Sequence, residues 1–299
     1  MTPKTYLISG ASGWVGRALC NHLSSSGHAV RTLVRRPPSA PHEFVWNPDA
    51  GTIDARALEG LNYVVHLAGE GIADGRWTAQ RKRRIRESRV VGTRTIALAV
   101  AAAGNPDLHL LSASAVGFYG SPGEAICDEH STRGEGFLAE VCEAWETAAG
   151  SASPCPVTLL RIGVVVGPGG GFLGKLLPLF RAGLGGPLAD GQAWTSWVSL
   201  RDLCRAVVWT AERGITGPVN LTAPEPRRNA AWTADLAGLL HRPAFLPAPA
   251  FALRLAMGEM ADELLLASQR VLPARLLESG FDFQDTSFRD AAKRALEAR

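Results

Sequence analysis

Tyrosine and lysine are scarce in this chain: three of the first and four of the second among 299 residues, although basic residues number 31. The tyrosines Tyr6, Tyr63 and Tyr119 have Gly10, Leu67 and Gly123 four positions on, so none shares a helix face with a lysine at that spacing. Cysteine is sparse and unpatterned. Cys20, Cys127, Cys142, Cys155 and Cys204 are odd in number and form no C-x-x-C pair, which argues against a disulfide framework and a zinc site and predicts reduced thiols with no metal. No apolar run approaches the roughly 18 residues of a membrane span. The first residues enter a strand at once, without the basic, apolar, small-residue succession of a signal peptide. A cytoplasmic protein with no membrane partner is expected. A formal charge of +3, with 20% charged and 46% apolar residues, describes an ordinary globular chain with no strong field of either sign. The one dense run of cations, residues 81–86, has no interleaved aromatics and is followed by Glu87. It reads as a solvated helix face, and no nucleic-acid partner is expected.

Glycine, by contrast, is placed with a pattern. Tyr6-Leu7-Ile8-Ser9 runs into Gly10-Ala11-Ser12-Gly13-Trp14-Val15-Gly16, and a helix-forming stretch follows. A strand, glycines three apart and then a helix form the turn that dinucleotide binding needs. Gly10 allows the tight turn, Gly13 lets backbone approach a pyrophosphate, and Gly16 lets helix and strand pack closely. The pyrophosphate then lies on a helix N-terminus, where unpaired N–H groups and the dipole favour negative charge. The next strand, residues 29–34, ends at Arg35-Arg36, nineteen residues past Gly16, where an NAD-binding unit carries a carboxylate for the ribose 2′-hydroxyl. Arginine there offers a planar fork to a 2′-phosphate instead, which predicts NADP as cofactor.

Strands and helices then alternate. Residues 61–69 and 108–114 read as buried parallel strands, residues 157–166 as another, and residues 78–103 and 135–149 as helices, the first possibly broken near Gly92. His66, inside the first of these strands, reads as a core histidine. The pattern predicts an α/β fold, a Rossmann-type doubly wound parallel sheet over residues 1–166. Gly167-Pro168-Gly169-Gly170-Gly171 reads as a flexible junction to a smaller C-terminal α/β lobe, residues 167–299, some of whose segments return to the sheet. Helices are expected there at residues 173–182, 202–212, 231–240, 250–268 and 288–298.

With these pieces placed, the chain resembles the extended short-chain dehydrogenases/reductases along nearly its whole length. The matching residues are the glycine turn, Leu67-Ala68-Gly69, Ser112-Ala113-Ser114-Ala115, Arg161-Ile162-Gly163-Val164 with Gly167-Pro168, and Trp197-Val198 leading to Asp202. More narrowly it is similar to the epimerase family branch, through Ala68-Gly69-Glu70, Arg76-Trp77-Thr78, Phe118-Tyr119-Gly120 and Gly258-Glu259-Met260 among others. The resemblance implies that Gly10, Ser12, Gly13, Trp14, Val15 and Gly16 hold the pyrophosphate and that Arg35 and Arg36 take the adenosine phosphate. It implies further that Leu67, Ala68 and Gly69 line the adenine-ribose side, with Arg89, Ser112, Gly163 and Val164 around the nicotinamide half.

The chain departs from the superfamily in its chemistry. Those enzymes use a tyrosine acid/base with a lysine four residues on, whose charge lowers the tyrosine pKa. Here Phe137 and Val141 stand where that pair is expected. Two readings follow. One is an NADP-dependent oxidoreductase or epimerase-like enzyme acting on an unknown small molecule with a displaced acid/base, for which Ser114 and Tyr119 are the catalytic candidates. The other is a non-catalytic NADP-binding sensor or regulatory protein.

Overall fold

The computed structural model describes residues 2–298. β1 (Thr5–Ser9) passes through the glycine turn into α1 (Trp14–Ser25), and β2 (Ala29–Val34), β3 (Glu43–Asn47) and the short β4 (Thr52–Ile53) follow. β5 (Tyr63–His66), α2 (Ala79–Ala102), β6 (His109–Ala115), a two-residue β7 (Ile126–Cys127), α3 (Phe137–Ala149) and β8 (Val157–Ile162) complete the alternating part. After β9 (Val164–Val166) come α4 (Gly171–Arg181), β10 (Trp194–Thr195), β11 (Trp197–Ser199), α5 (Leu200–Glu212) and β12 (Gly217–Leu221). The chain ends with β13 (Arg227–Arg228), α6 (Asn229–Leu240), α7 (Ala250–Met257), β14 (Arg270–Val271), α8 (Ala274–Glu278) and α9 (Phe288–Glu297).

The main sheet has the order β12-β8-β6-β5-β1-β2-β3-β4, parallel throughout except for β4, which runs against β3. Its central strands are apolar on both faces because helices cover both, as parallel sheets require. On one face α1 and α5 bury Leu19, Leu23, Leu203 and Val207 against Ile8, Val65 and Leu111. On the other, Ile96, Ala97 and Val100 of α2 pack on Leu7, Val64 and Leu110. From β1 the chain adds β2 and β3 on one side, then crosses to β5, β6 and β8 on the other. The strand order therefore reverses between β1 and β5, and a crevice opens at their carboxyl ends. β12 pairs with β8 in register Val219 to Leu160, so residues 200–221 return to the sheet. A separate core of Phe180, Trp197, Trp232 and Phe288 holds the C-terminal elements together.

Three segments differ from the sequence reading, each at a glycine. α2 runs unbroken through Gly92, which faces Trp46 and His66, because packing on the sheet outweighs the weak helix propensity of one glycine. The stretch 157–166 is two strands, since Gly163 turns the chain where a side chain would meet the Ser196 carbonyl 2.6 Å away, and β9 pairs with β11 instead. The helix expected over residues 250–268 ends at Met257, because Gly258 takes φ 65° and a single π-helical turn over Ala261–Leu265 follows.

Candidate functional site

The crevice is built first by the glycine turn. Gly10 has φ 72°, and a Cβ on it would stand 2.8 Å from the Ala68 nitrogen and 2.9 Å from the Leu67 carbonyl carbon, so the tips of β1 and β5 touch only because this residue lacks one. Gly16 meets the turn as closely, with Ala11 Cα 2.8 Å from where its Cβ would be. Gly13 donates its N–H to the Gly10 carbonyl at 2.9 Å and caps α1 without a side chain, and the first turn of α1 holds no acidic residue. The N–H groups of that turn thus face the crevice uncompensated. Ser12 is exposed at the lip of the turn, where its carbonyl accepts from Arg17, while Val15 turns into the core beneath. Ser9, which the sequence reading passed over, joins the two walls: its Oγ accepts from the Leu67 and Ala68 N–H groups at 3.2 and 3.4 Å and shares a 2.6 Å hydrogen bond with His66 Nδ1.

Trp14 binds this turn to a distant segment. Its indole N–H donates to the Pro168 carbonyl at 2.8 Å, and its ring lies where side chains on Gly167, Gly170 or Gly171 would be. The glycine run read as a flexible junction is instead the flat seat of an indole.

At the end of β2 the two arginines have different employment. Arg36 forms a two-pronged pair with Glu43, at 2.9 and 2.6 Å, and this holds the Glu43 carboxyl down at about 2. Arg35 is exposed and has no hydrogen-bond or ion-pair partner among the described residues. The expectation of a clamp made from both side chains therefore narrows to Arg35, with Arg36 fixing the loop behind it.

The opposite wall continues from Leu67, Ala68 and Gly69 to Arg89, whose guanidinium is 3.4 Å from where a Gly69 Cβ would be. Arg89 donates to the Glu70 and Ile85 carbonyls and lies over the Trp145 ring at 5.1 Å; burial lowers its pKa. It holds no carboxylate, which leaves a half-buried cation beside the crevice. Ser112 is fully buried in β6 between β5 and β8. Gly163 packs on Ser196 and Thr222, and Val164 donates to the Ser196 carbonyl at 2.8 Å.

At the tip of β6 the two catalytic candidates belong to one enclosed network. Ser114 donates to Glu146 Oε1 at 2.7 Å. Glu146, on α3, is gripped by Arg161 through Nε and Nη2, both at 2.8 Å. Arg161 Nη1 donates to the Tyr119 hydroxyl at 2.9 Å, and that hydroxyl donates to Asn220 Oδ1 at 2.7 Å. Tyr119 is 2% exposed and burial pushes its pKa up to about 12. The tyrosine offered as a displaced acid/base is thus a core residue with its proton committed inside the protein, because Arg161 and Asn220, far off in sequence, close over it. Glu146, Arg161 and Asn220 were not foreseen. The one sequence signal among them is a lone charge in β8, Arg161 in VTLLRI, and a lone polar side chain in β12, Asn220 in GPVNL; Glu146 is one of three glutamates on its helix and carries no such signal.

The α3 face turned to β6 carries Leu138 and Cys142, which lie 3.4 and 3.7 Å from a Gly117 Cβ position. Phe137 packs edge-on against Trp77, and Val141 is buried. None of these four side chains can move a proton at neutral pH, since burial raises the Cys142 thiol to about 12.

His66 gives the first prediction. It is fully buried, its Nε2 is without a partner among the described residues, and burial lowers its pKa to about 3; burial likewise lowers His109 to about 4. Both must be neutral in the fold, while the unfolded chain protonates them near 6.5. Their stabilisation is intact above about pH 6.5 and is lost as pH falls toward the folded values, by about 1.4 kcal/mol per pH unit for each histidine in that window. Urea midpoints near neutral pH and near pH 5 should show a smaller drop for His66→Gln than for the unaltered protein. Equal drops would remove His66 from the acid response.

A reversed strand order with a glycine turn at the switch point defines a Rossmann-type protein of the extended short-chain dehydrogenase/reductase class. Residues 6–221 match the model of the NAD dependent epimerase/dehydratase family, and residues 248–295 match a domain of unknown function, DUF1731. An epimerase family protein of Mycobacterium tuberculosis is 42% identical over 294 residues, 97% of each chain. The human epimerase family protein SDR39U1, in a crystal structure of isoform 2 with NADPH, superimposes with a TM-score of 0.89 at 30% identity, covering 99% of this chain and all of that one. A nucleoside-diphosphate sugar epimerase from Corynebacterium glutamicum gives a TM-score of 0.80 at 36% identity, over 99% of this chain and 58% of that one. The chain belongs to the NAD dependent epimerase/dehydratase family.

Proposed function

We propose that the chain binds NADP(H) across the tips of β1 and β5. The pyrophosphate rests on Gly10, Ser12, Gly13, Trp14, Val15 and Gly16, and the 2′-phosphate meets Arg35. Leu67, Ala68 and Gly69 line the adenosine side, and Arg89, Ser112, Gly163 and Val164 belong to the nicotinamide half. The observation that carries this reading is the turn itself: a tight turn at φ 72° against the Leu67–Ala68 backbone that only a residue without a Cβ can make at Gly10, leading into a helix N-terminus with neither side-chain cap nor acidic residue. The NADPH held by the human relative supports it. One charge-assisted contact to a phosphate is worth about 1.5–3 kcal/mol, so NADPH should bind roughly tenfold to a hundredfold more tightly than NADH. Arg35→Glu should abolish the difference, whereas Arg36→Gln should loosen the loop and reduce it only in part. Equal titration of both nucleotides by the unaltered protein sinks this cofactor assignment.

A nicotinamide bound there supplies or accepts a hydride, and the chain acts as an oxidoreductase or epimerase-like enzyme on a small molecule of unknown identity. Of the catalytic candidates, Ser114 stands nearest the strand tip, but it is as buried as Tyr119 and its hydroxyl proton is likewise committed, to Glu146. The second reading, a non-catalytic NADP(H) sensor, is favoured by the enclosed Tyr119 hydroxyl and by Leu138 and Cys142 on the helix face nearest the strand tip. Absence of NADPH oxidation across alcohols, carbonyls and nucleotide sugars, with NADPH binding intact, supports the sensor; turnover that Ser114→Ala removes supports the enzyme.

We place the protein in the cytoplasm on its five unpaired cysteines. We propose no nucleic-acid partner, since three of the five cations of the 81–86 run are engaged within the fold: Arg81 and Arg84 meet Glu70 at 2.8 and 3.4 Å, and Lys82 meets Glu259 at 2.8 Å, which leaves Arg83 and Arg86 on a solvated helix face. We divide the chain at residue 166 into a nucleotide-binding part and a substrate lobe.

A further inference from the structure

Large apolar side chains are exposed mainly in one region. Leu179, Leu184, Phe245, Leu246, Phe251 and Leu255 are among the most exposed, with Phe245 and Leu255 at 77% and Phe251 at 72%. They form one surface. Leu184 N–H donates to the Leu179 carbonyl at 2.9 Å, Ala248 N–H to the Pro187 carbonyl at 2.8 Å, and Arg242 Nε to the Arg181 carbonyl at 3.1 Å, so residues 179–189 and 242–248 lie side by side. α7 leaves that edge at once, and Phe251 and Leu255, four apart, share a face of it. None of the eight residues of α7 is buried. Large exposed apolar side chains gathered on adjoining segments, rather than scattered singly, mark an interaction surface.

The stretches that build it are free of carboxylates, although Asp190, Asp235 and Glu259 stand immediately beyond them. Residues 171–189 and 236–258 contain no Asp or Glu, while they carry Lys175, Arg181, His241, Arg242 and Arg254. Asp74 and Asp262 reach in from outside to pair with Lys175 and Arg254, at 3.3 and 2.9 Å. Arg181 and Arg242 have no carboxylate partner among the described residues. A second copy of the chain in a two-fold contact would set this face against itself, cation to cation. A helix standing clear of the core, with phenylalanine and leucine outward and arginines at its margins, suits an anionic layer with an apolar interior.

We propose that the surface formed by α7 and the loops 179–189 and 242–249 docks on an anionic lipid bilayer, with Phe245, Phe251 and Leu255 entering the headgroup region and Arg181 and Arg242 meeting lipid phosphates. Among the described residues no helix is long and apolar enough to cross a membrane, and none is needed for contact from one side. The absence of a span, read from the sequence as the absence of a membrane partner, does not bear on this mode. The inference is independent of the nucleotide assignment.

The full chain is sedimented with vesicles of phosphatidylcholine alone and with vesicles of phosphatidylcholine and phosphatidylglycerol in equal parts, at low and high salt. Recovery with the anionic vesicles is expected, weakening as salt screens the arginines. Phe251→Glu/Leu255→Glu should reduce the bound fraction at least about tenfold, since each charge replaces an inserted apolar group. Because both residues are exposed, that variant should keep its thermal midpoint and NADPH affinity, which checks that it folds. Failure of the unaltered protein to sediment with either vesicle overturns the proposal, as does unchanged binding by the folded variant. A concentration-dependent dimer in light scattering, dispersed by the same double substitution and unaffected by lipid, would instead assign the face to a second copy.

Discussion

Arg161→Ala is expected to destabilise the protein by about 3–5 kcal/mol, read as a lower urea midpoint at unchanged slope. The size follows from what is left behind. Glu146 loses both prongs of its guanidinium partner in a site where neither carboxylate oxygen can be hydrated freely, and Tyr119 loses a donor while its own proton stays on Asn220. The Phe118 ring, stacked 3.5 Å from the guanidinium carbon, loses its cover as well. Removing the charge from both partners should cost less than removing it from one. Arg161→Met combined with Glu146→Leu leaves no stranded charge, so its deficit should fall below that of the single substitution. A single substitution costing under about 1 kcal/mol would mean that water already reaches Glu146 and that the network is not closed.

That network also marks where sequence reading stops. The glycine turn was legible because its causes are local: Gly10, Gly13 and Gly16 act on neighbours within six residues and on one wall. The cation at Arg35 was legible for the same reason, as the last residue but one of a strand-and-arginine run. Nothing near Arg36 in the chain discloses that Glu43 claims it, and the pairing arises only when β2 and β3 align Thr32 with Glu43. Tyr119 was misplaced on the same ground, for its partners are 42 and 101 residues away. The glycines also misled where they serve packing rather than turning. Gly92 lies inside an intact helix, and Gly170 accommodates Trp14, yet from composition alone both resemble breaks.

Gly10→Val is expected to abolish nucleotide binding at ordinary concentrations while leaving most of the fold in place. Valine at φ 72° is strained by about 1–3 kcal/mol before its contacts are considered. Its Cβ would also push against the backbone of Leu67 and Ala68, and no side-chain rotation relieves a collision between main chains. The tips of β1 and β5 must part, carrying the N-terminus of α1 away from the pyrophosphate. Losing one or two charge-assisted bonds at about 1.5–3 kcal/mol each weakens NADPH on the order of tenfold to ten-thousandfold. Fluorescence titration and a thermal melt together check this. NADPH affinity within about twofold of the unaltered protein, with a normal melt, would show that the cofactor does not lie on this turn.

The hydrogen bond from Trp14 to Pro168 spans 154 residues. It sets an order on the making of the protein. The sequence that resembles a nucleotide site leaves the ribosome well ahead of the seat for its indole, which is clear only after residue 171. Closing so long a loop carries an entropic cost that local contacts in β1 and α1 cannot meet on their own. The glycine turn is thus braced only after the segment 154 residues downstream has been made. A nascent chain that ends before residue 167 carries the full glycine signature without the brace that fixes it, so nucleotide arriving then would find the turn present but not yet held.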